Sequence, residues 1–357
     1  MQKVIKKVVG IDVSQKALDV QMGMFYDSLE SILFTHRVLA NNEKGFERIL
    51  ELCIKDLGGI DNVEFVMEAT GVYHEKLAYY LCAKGLKVSI VLPNKISNYM
   101  RTLVTKTITD KTCAEALTRF GLERNLDYWS PPKKVYKELR RLVRERDQIV
   151  LERSGVKNQL HAEKASKDPL ERTVARLEER INFLNRQEKE IKTDIDLIIS
   201  RDGVLDHEVK LMTSAPGVGV LTAVTILAET NGFELIKNKK QLVSYAGLDV
   251  REKSSGTSVR GKARISKKGN KYLRKAMHLP ALTAIKWNEN YKAVYARQTQ
   301  KHGIKMKSVV AVQRRLLELT YILFKTQTAY DKDYEKKVAH QKDNALHRLA
   351  QDCLQLM

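Results

Sequence analysis

Four residues have side chains whose type and setting could do chemistry: Asp12, Glu68 and Asp110 early in the chain, and Ser255 late in it. Asp12 sits in residues 8–15, VVGIDVSQ, where β-branched residues bounded by turn formers predict a buried strand that delivers one carboxylate just before the chain turns. An isolated buried charge is strongly disfavoured, so Asp12 either caps the following turn or shares a cation with other acids. Glu68 follows the apolar run 63–67 directly, and Asp110 heads an amphipathic stretch, 114–122. Three carboxylates on one edge suit a hard divalent cation, Mg²⁺ or Mn²⁺. Two such ions about 4 Å apart can stabilise the attacking and leaving oxygens of a phosphodiester. Ser255 precedes a glycine in DVREKSSGTSVRGKARISKKGN, among Arg251, Arg260, Lys262, Arg264, Lys267 and Lys268. That pattern reads either as a plain basic loop or as an exposed hydroxyl beside cations able to neutralise a phosphate.

The elements that must position these groups follow from periodicity. Residues 8–15, 18–23 and 31–38 alternate as three strands with short connections. Residues 42–57 have helical spacing and end at Gly58 and Gly59, and strands follow at 63–67 and 87–92. Three antiparallel strands, a helix and then alternating parallel strands and helices is the order of a ribonuclease-H-like fold, and that fold uses strand-end acids to hold metal. Trp129 to Pro132 mark a boundary. Beyond it, Val135, Leu139, Leu142, Ile149, Val156 and Leu160 form one heptad-like seam, and Leu170, Val174, Leu177, Ile181, Leu184, Ile191, Ile195 and Ile198 form a second, with only Glu188 polar in it. A coiled-coil helical hairpin is expected, its second helix capped by Asp168 with Pro169 and Glu171 in the first turn. Its seam is expected to join copies of the chain into a homo-oligomer.

From Val209 the chain reads as all-helical. The stretch APGVGVLTA matches a helix-hairpin-helix motif, in which Gly217 and Gly219 would let backbone N–H groups approach a phosphate, or else simply make a tight turn. Helices are expected at 239–246, 271–287 and 306–325. The 357 residues carry a net charge of +20, which points to a polyanionic partner, nucleic acid first. Cys53, Cys82, Cys113 and Cys353 have neither paired nor metal-ligand spacing, which fits a reducing cytoplasm. No apolar run approaches the roughly 18 residues that a membrane span requires, so no membrane role is expected.

Taken together, GIDVSQ at Asp12, EATGVY at Glu68, TDKTCAEAL at Asp110, PGVGVLTA at Pro216, YAGL at Tyr245 and SSG…ISKKGN…LR from Ser254 resemble the DEDD-type transposases related to Piv and MooV, in the same order over nearly the whole chain. The resemblance implies a RuvC-like domain at 1–130, a coiled-coil hairpin at 131–205, an all-α transposase domain at 206–330 and a charged tail at 331–357. It implies an insertion-sequence recombinase guided to donor and target DNA by a noncoding bridge RNA, and the homo-oligomer expected from the seam is a dimer or tetramer. Asp12, Glu68 and Asp110 match its metal-binding acids, and Ser255 matches its nucleophile. The family motif Thr-Asp-x-x-Asp-Ala departs here at its fifth position, where Cys113 replaces the last acid, and a thiol is a poor ligand for Mg²⁺.

Two other readings use the same residues differently. A junction-resolving nuclease would use the acids with water and leave Ser255 dispensable, and a non-catalytic nucleic-acid-binding protein would need neither. Under all three the basic surface neutralises phosphates, so affinity for DNA is expected to fall steeply with added salt. A binding isotherm unchanged between low and physiological salt would exclude a phosphate track.

Overall fold

The structure, a computed structural model, describes residues 3–69, 71–103, 107–234, 236–252, 254–255, 259–261 and 264–333, with positions 254, 255, 259 and 260 described through their backbone alone. It divides into two compact units, Met1–Pro131 and Pro132–Met357.

The first unit is built on a sheet of β1 (Val4–Val13), β2 (Ala17–Tyr26), β3 (Ser31–Leu33), β4 (Arg37–Ala40), β5 (Val63–Glu68) and β6 (Lys87–Val91). Its order is β3-β2-β1-β5-β6, with β4 also on β2. β1 runs antiparallel to β2 and parallel to β5, and β6 is parallel to β5, which is the ribonuclease-H-like order. The third strand expected at 31–38 is broken in two. Between the pieces the pairing on β2 slips by one residue: Gly23 faces Leu33 and the Phe34 N–H still donates to the Met22 carbonyl, but Val20 faces Arg37, and at the slip the Gln21 amide donates to the Phe34 carbonyl and His36 bonds Asp19. Helices α1 (Glu43–Leu57) and α2 (Glu75–Ala83) cover one face, where Phe46, Ile49, Leu77 and Leu81 pack on Val9, Ile11, Phe65 and Met67. α1 is capped by Asn42 and closed by Gly58 at φ 69°.

The other face takes α3 (Pro93–Met100) and α4 (Asp110–Glu123), with Ile96, Leu117 and Phe120 against Val8, Val66 and Val91. Here α4 meets β1 almost backbone to backbone. A Cβ added at Gly10 would lie 2.4 Å from the Thr118 amide nitrogen and 2.6 Å from the Ala114 carbonyl oxygen; one at Gly121 would lie 2.7 Å from Val8. The Thr118 hydroxyl donates to the Gln21 carbonyl at 2.9 Å, tying α4 to β2 as well.

The second unit begins with α5 (Lys134–Ala165) and α6 (Glu171–Arg201), packed as a hairpin. Tyr136, Leu139, Val143, Ile149 and Val156 of α5 are buried, as are Leu184, Glu188, Ile191, Ile195 and Ile199 of α6. α5 of the same chain therefore fills the stretch of seam expected to join copies, while Leu170 is exposed. The expected cap at Asp168 is also displaced. Leu170 occupies the cap position, and its N–H donates to the Glu163 carboxylate at 2.8 Å across the turn. Burial alone would push Glu188 up, but hydrogen bonds from Lys192, Arg153 and Arg146 outweigh it and bring the carboxyl down to about 2.

The rest of this unit packs α7 (Gly203–Thr213), α8 (Val220–Thr230), α9 (Lys239–Tyr245), α10 (Lys271–Ala276), α11 (His278–Trp287), α12 (Glu289–His302) and α13 (Lys305–Thr326). One helix was expected at 271–287. It breaks at Met277, and Pro280, which has no N–H to donate, falls in the first turn of α11. Among the described residues between α9 and α10 are the two-residue strands β7 (Val250–Arg251), β8 (Ser254–Ser255), β9 (Val259–Arg260) and β10 (Arg264–Ile265).

Because backbone atoms of α4 occupy the space beside Gly10, Gly10→Ala forces the helix off the sheet. The expected cost is about 1–3 kcal/mol, the range for overpacking, read as a lower urea midpoint; an unchanged midpoint would show that α4 is not seated through this contact.

Candidate active site

Asp12 is the penultimate residue of β1, and its register partner on β2 is Asp19. Facing pairs in an antiparallel ladder share a face. That face is the one under α4, since Gly10 two residues earlier touches Thr118 and Ala114. Glu68 ends β5 two residues beyond Val66, which packs in the same α4-side cluster. Asp110 is the first residue of α4, and the N-terminus is fixed by a capping box in which the Thr109 hydroxyl accepts from the Thr112 N–H and the Thr112 hydroxyl accepts from the Thr109 N–H.

Electrostatics show that these acids share one field. Burial pushes the Asp12 carboxyl up, the negative charges of Asp110, Glu68 and Asp19 push it further, and the Val13 N–H only partly opposes them; the result is about 6. Cys113 lies in the same field. Burial first, then Asp12, Glu68, Asp110 and Asp19, raise its thiol to about 11. At neutral pH it stays protonated, and its sulfur lies 4.0 Å from that of Met100. A further acid, Asp19, is not marked by its sequence neighbours; it is 9% exposed and bonded at 2.9 Å to His36 Nε2. The signal was present in the hairpin register, which follows from the tight turn at Ser14, where Ser14 N donates to the Ala17 carbonyl.

Oxygen donors of this kind match the chemistry of Mg²⁺ or Mn²⁺, and the proton affinity of Asp12 marks an unbalanced negative field that a cation would offset. Among the described residues, no three carboxylate, thiol or imidazole groups are drawn close enough to hold an ion as they stand. Asp12, Glu68 and Asp110 are thus gathered in one field without being closed into a ligand shell.

In the second unit the backbone of Ser255 pairs with Val259 and that of Ser254 with Arg260. β7 and β10 pair at the root of the same loop. Below them the Ser266 hydroxyl donates to Asp249 Oδ1 at 2.5 Å, and the Lys267 N–H donates to the Gly247 carbonyl at 3.1 Å. Arg264, Lys267 and Lys268 are exposed. Lys262 lies outside the described residues, as do the side chains of Ser255 and Arg260. Gly217, at φ 77°, abuts α11, since a Cβ there would lie 2.5 Å from the Pro280 carbonyl. Gly219 begins α8 facing open space.

A carboxyl that titrates near 6 when folded and near 3.8 otherwise binds its proton more tightly in the native state. Its ionisation therefore destabilises the fold above about pH 6, and that loss is recovered as pH falls from 6 towards 4. Asp12→Asn is expected to melt higher than the wild type at about pH 7.5 and to flatten the pH dependence of melting between 4 and 6. A lower melting temperature with an unchanged slope would contradict the shared field.

Comparison with known proteins bears on what such a field serves. Residues 9–163 match the IS110-type DEDD model described as a transposase, and residues 209–296 match the model described as the transposase IS116/IS110/IS902 family. The pilin gene-inverting protein of Moraxella bovis is 27% identical over 329 residues, covering 92% of this chain and 98% of that one. The transposase for insertion sequence element IS1111A of Coxiella burnetii is 22% identical over 293 residues, 75% of each chain. Among solved structures, RuvC of T. thermophilus in complex with a Holliday junction substrate aligns with 32% of this chain and 97% of its own, at 12% identity and a TM-score of 0.25. With family matches in both units, in the order in which its motifs occur, the chain belongs to the IS110 family of transposases.

Proposed function

We propose that this transposase cuts and rejoins DNA through a covalent serine–DNA intermediate, with Ser255 as nucleophile and Asp12, Glu68 and Asp110 as the holders of Mg²⁺ or Mn²⁺. The observation that carries the metal assignment is the mutual field at Asp12, where three further carboxylates raise one that burial has already raised. A bound divalent ion would supply charge stabilisation at the reacting phosphate. The chain's own contribution is the hydroxyl. Ser255 Oγ forms the new P–O bond as the bond to one deoxyribose oxygen breaks; the serine loses its proton, the departing oxygen gains one, and a serine–DNA phosphodiester replaces the phosphodiester of the DNA. Reversal on another strand rejoins DNA without a high-energy cofactor.

The remaining parts take supporting roles in this reading. Residues 1–130 hold the metal, the coiled-coil hairpin 131–205 spaces the parts, and residues 206–330 present the nucleophile, in a dimer or tetramer directed to donor and target DNA by a bridge RNA. The turn between α7 and α8 acts as a helix-hairpin-helix contact to phosphate through Gly219, whose open surroundings support it, with Gly217 shaping the turn. Arg260, Lys262, Arg264, Lys267 and Lys268 neutralise the strand next to Ser255. Cys113 among the acids favours a second reading, in which metal binding is weak and the chain acts by holding nucleic acid.

The test uses labelled duplexes spanning the junction of the element and its flanks, with the transcript of the flanking noncoding DNA and Mg²⁺, resolved on denaturing gels. A protein–DNA adduct is expected with the wild type and with Ser254→Ala, and none with Ser255→Ala or Asp12→Asn. Adduct with Ser255→Ala would refute the nucleophile. Cleavage without adduct would favour a water-dependent nuclease, and binding with neither would favour the second reading.

A further inference from the structure

Glu229, the second-last residue of α8, is 2% exposed and fully engaged. Arg144 of α5 grips it with two hydrogen bonds, 2.7 Å from Nε to Oε1 and 2.8 Å to Oε2. The Asn270 amide donates to Oε2 at 2.6 Å. Asn270 has a second task performed by its other atom: Oδ1 accepts from the N–H groups of Tyr272 and Leu273 at 2.9 and 3.0 Å, capping α10. Its own N–H donates to the Tyr245 carbonyl, and the Tyr245 hydroxyl donates back to the Glu229 carbonyl. Gly269 permits this closeness, since a Cβ there would lie 2.4 Å from the Tyr245 oxygen.

Tyr245 and Asn270 are the two feet of the loop that carries Ser255. The root between them is closed by the Gly247 to Lys267 and Asp249 to Ser266 hydrogen bonds and by the pairing of β7 with β10. A buried carboxylate stripped of donors is strongly unfavourable, so the root has one low-energy seat, and α5 takes part in setting it. Resting on the reading of Ser255 as nucleophile, we propose that Arg144, Glu229 and Asn270 form a positioning clamp that sets the attitude of the nucleophile loop and ties it to the long hairpin. None of the three touches the reacting atoms. Their effect is on the rate of attack rather than on the hold on DNA, because misplacement of a nucleophile by about 1 Å costs on the order of 100-fold.

The two tasks of Asn270 can be separated in the full-length protein. Asn270→Asp keeps an oxygen for the cap and replaces the donor to Glu229 with a repelling acceptor; Asn270→Ser also keeps a capping oxygen but is too short to reach Glu229. Adduct formation on the junction duplexes described above is expected to slow by roughly 10- to 100-fold in both, with duplex affinity close to that of the wild type and a melting temperature lowered more by Asp, which sets two acids together, than by Ser. Glu229→Gln combined with Asn270→Asp exchanges amide and carboxylate, keeps the net charge and restores a donor–acceptor pair, so the adduct rate is expected to recover. Wild-type rates in both single variants would overturn the clamp while leaving Ser255 as nucleophile. So would rate, affinity and melting temperature falling together with no recovery in the double variant, since the residues would then be merely structural. Adduct persisting in Ser255→Ala would instead remove the nucleophile reading on which the clamp rests.

Discussion

The contact of α4 with β1 at Gly10 and Gly121 is the constraint on which the first unit depends. Helix and strand normally stand apart by the width of two side chains, and here the missing Cβ atoms let them close. That closeness brings the first turn of α4 into the same field as the ends of β1 and β5. Asp110 and Cys113, three residues apart, both act electrostatically with Asp12. A helix N-terminus offers about half a positive charge, which cannot balance three neighbouring carboxylates. Burial first, and that mismatch with it, raise Asp12 to about 6.

The second unit handles buried carboxylates in the opposite way. Glu188 and Glu229 are nearly as buried as any aliphatic side chain around them, but each was placed where arginines from α5 reach it. Glu188 is held well below the ordinary range by three cations, and the same guanidinium chemistry at Glu229 favours the charged form of Arg144. Fully paired acids fix positions. The acids around Asp12 press on one another instead, and a mutual field of that kind suits a reactive centre better than a scaffold.

Much of this could be read from residue order, because strand-end acids and apolar runs are local signals. The β-branched run before Asp12, the acid after Met67 and the amphipathic stretch after Asp110 each declare themselves within about ten residues. Asp19 did not, because its face depends on hairpin register rather than on its neighbours in sequence. The cap at Asp168 and Pro169 was a sound local pattern overridden from across the turn, where Glu163 binds the Leu170 N–H. Strands of two residues, such as β7 and β10, are too short for any periodicity. Glu229 was hidden in an apolar helix, and its partners lie 85 residues before it and 41 after.

Glu188 has one more consequence, for length. A slide of α6 along α5 by a single turn would carry its carboxylate about 5.4 Å, out of reach of Arg146 and Arg153 together, so the hairpin cannot be lengthened or shortened by slippage. The 32 residues of α5 rise about 48 Å at 1.5 Å each. That equals the rise of about 14 base pairs of duplex. The buried ion cluster thereby fixes the register of the two helices, so the hairpin works as a ruler whose tip stands at a set distance from its root.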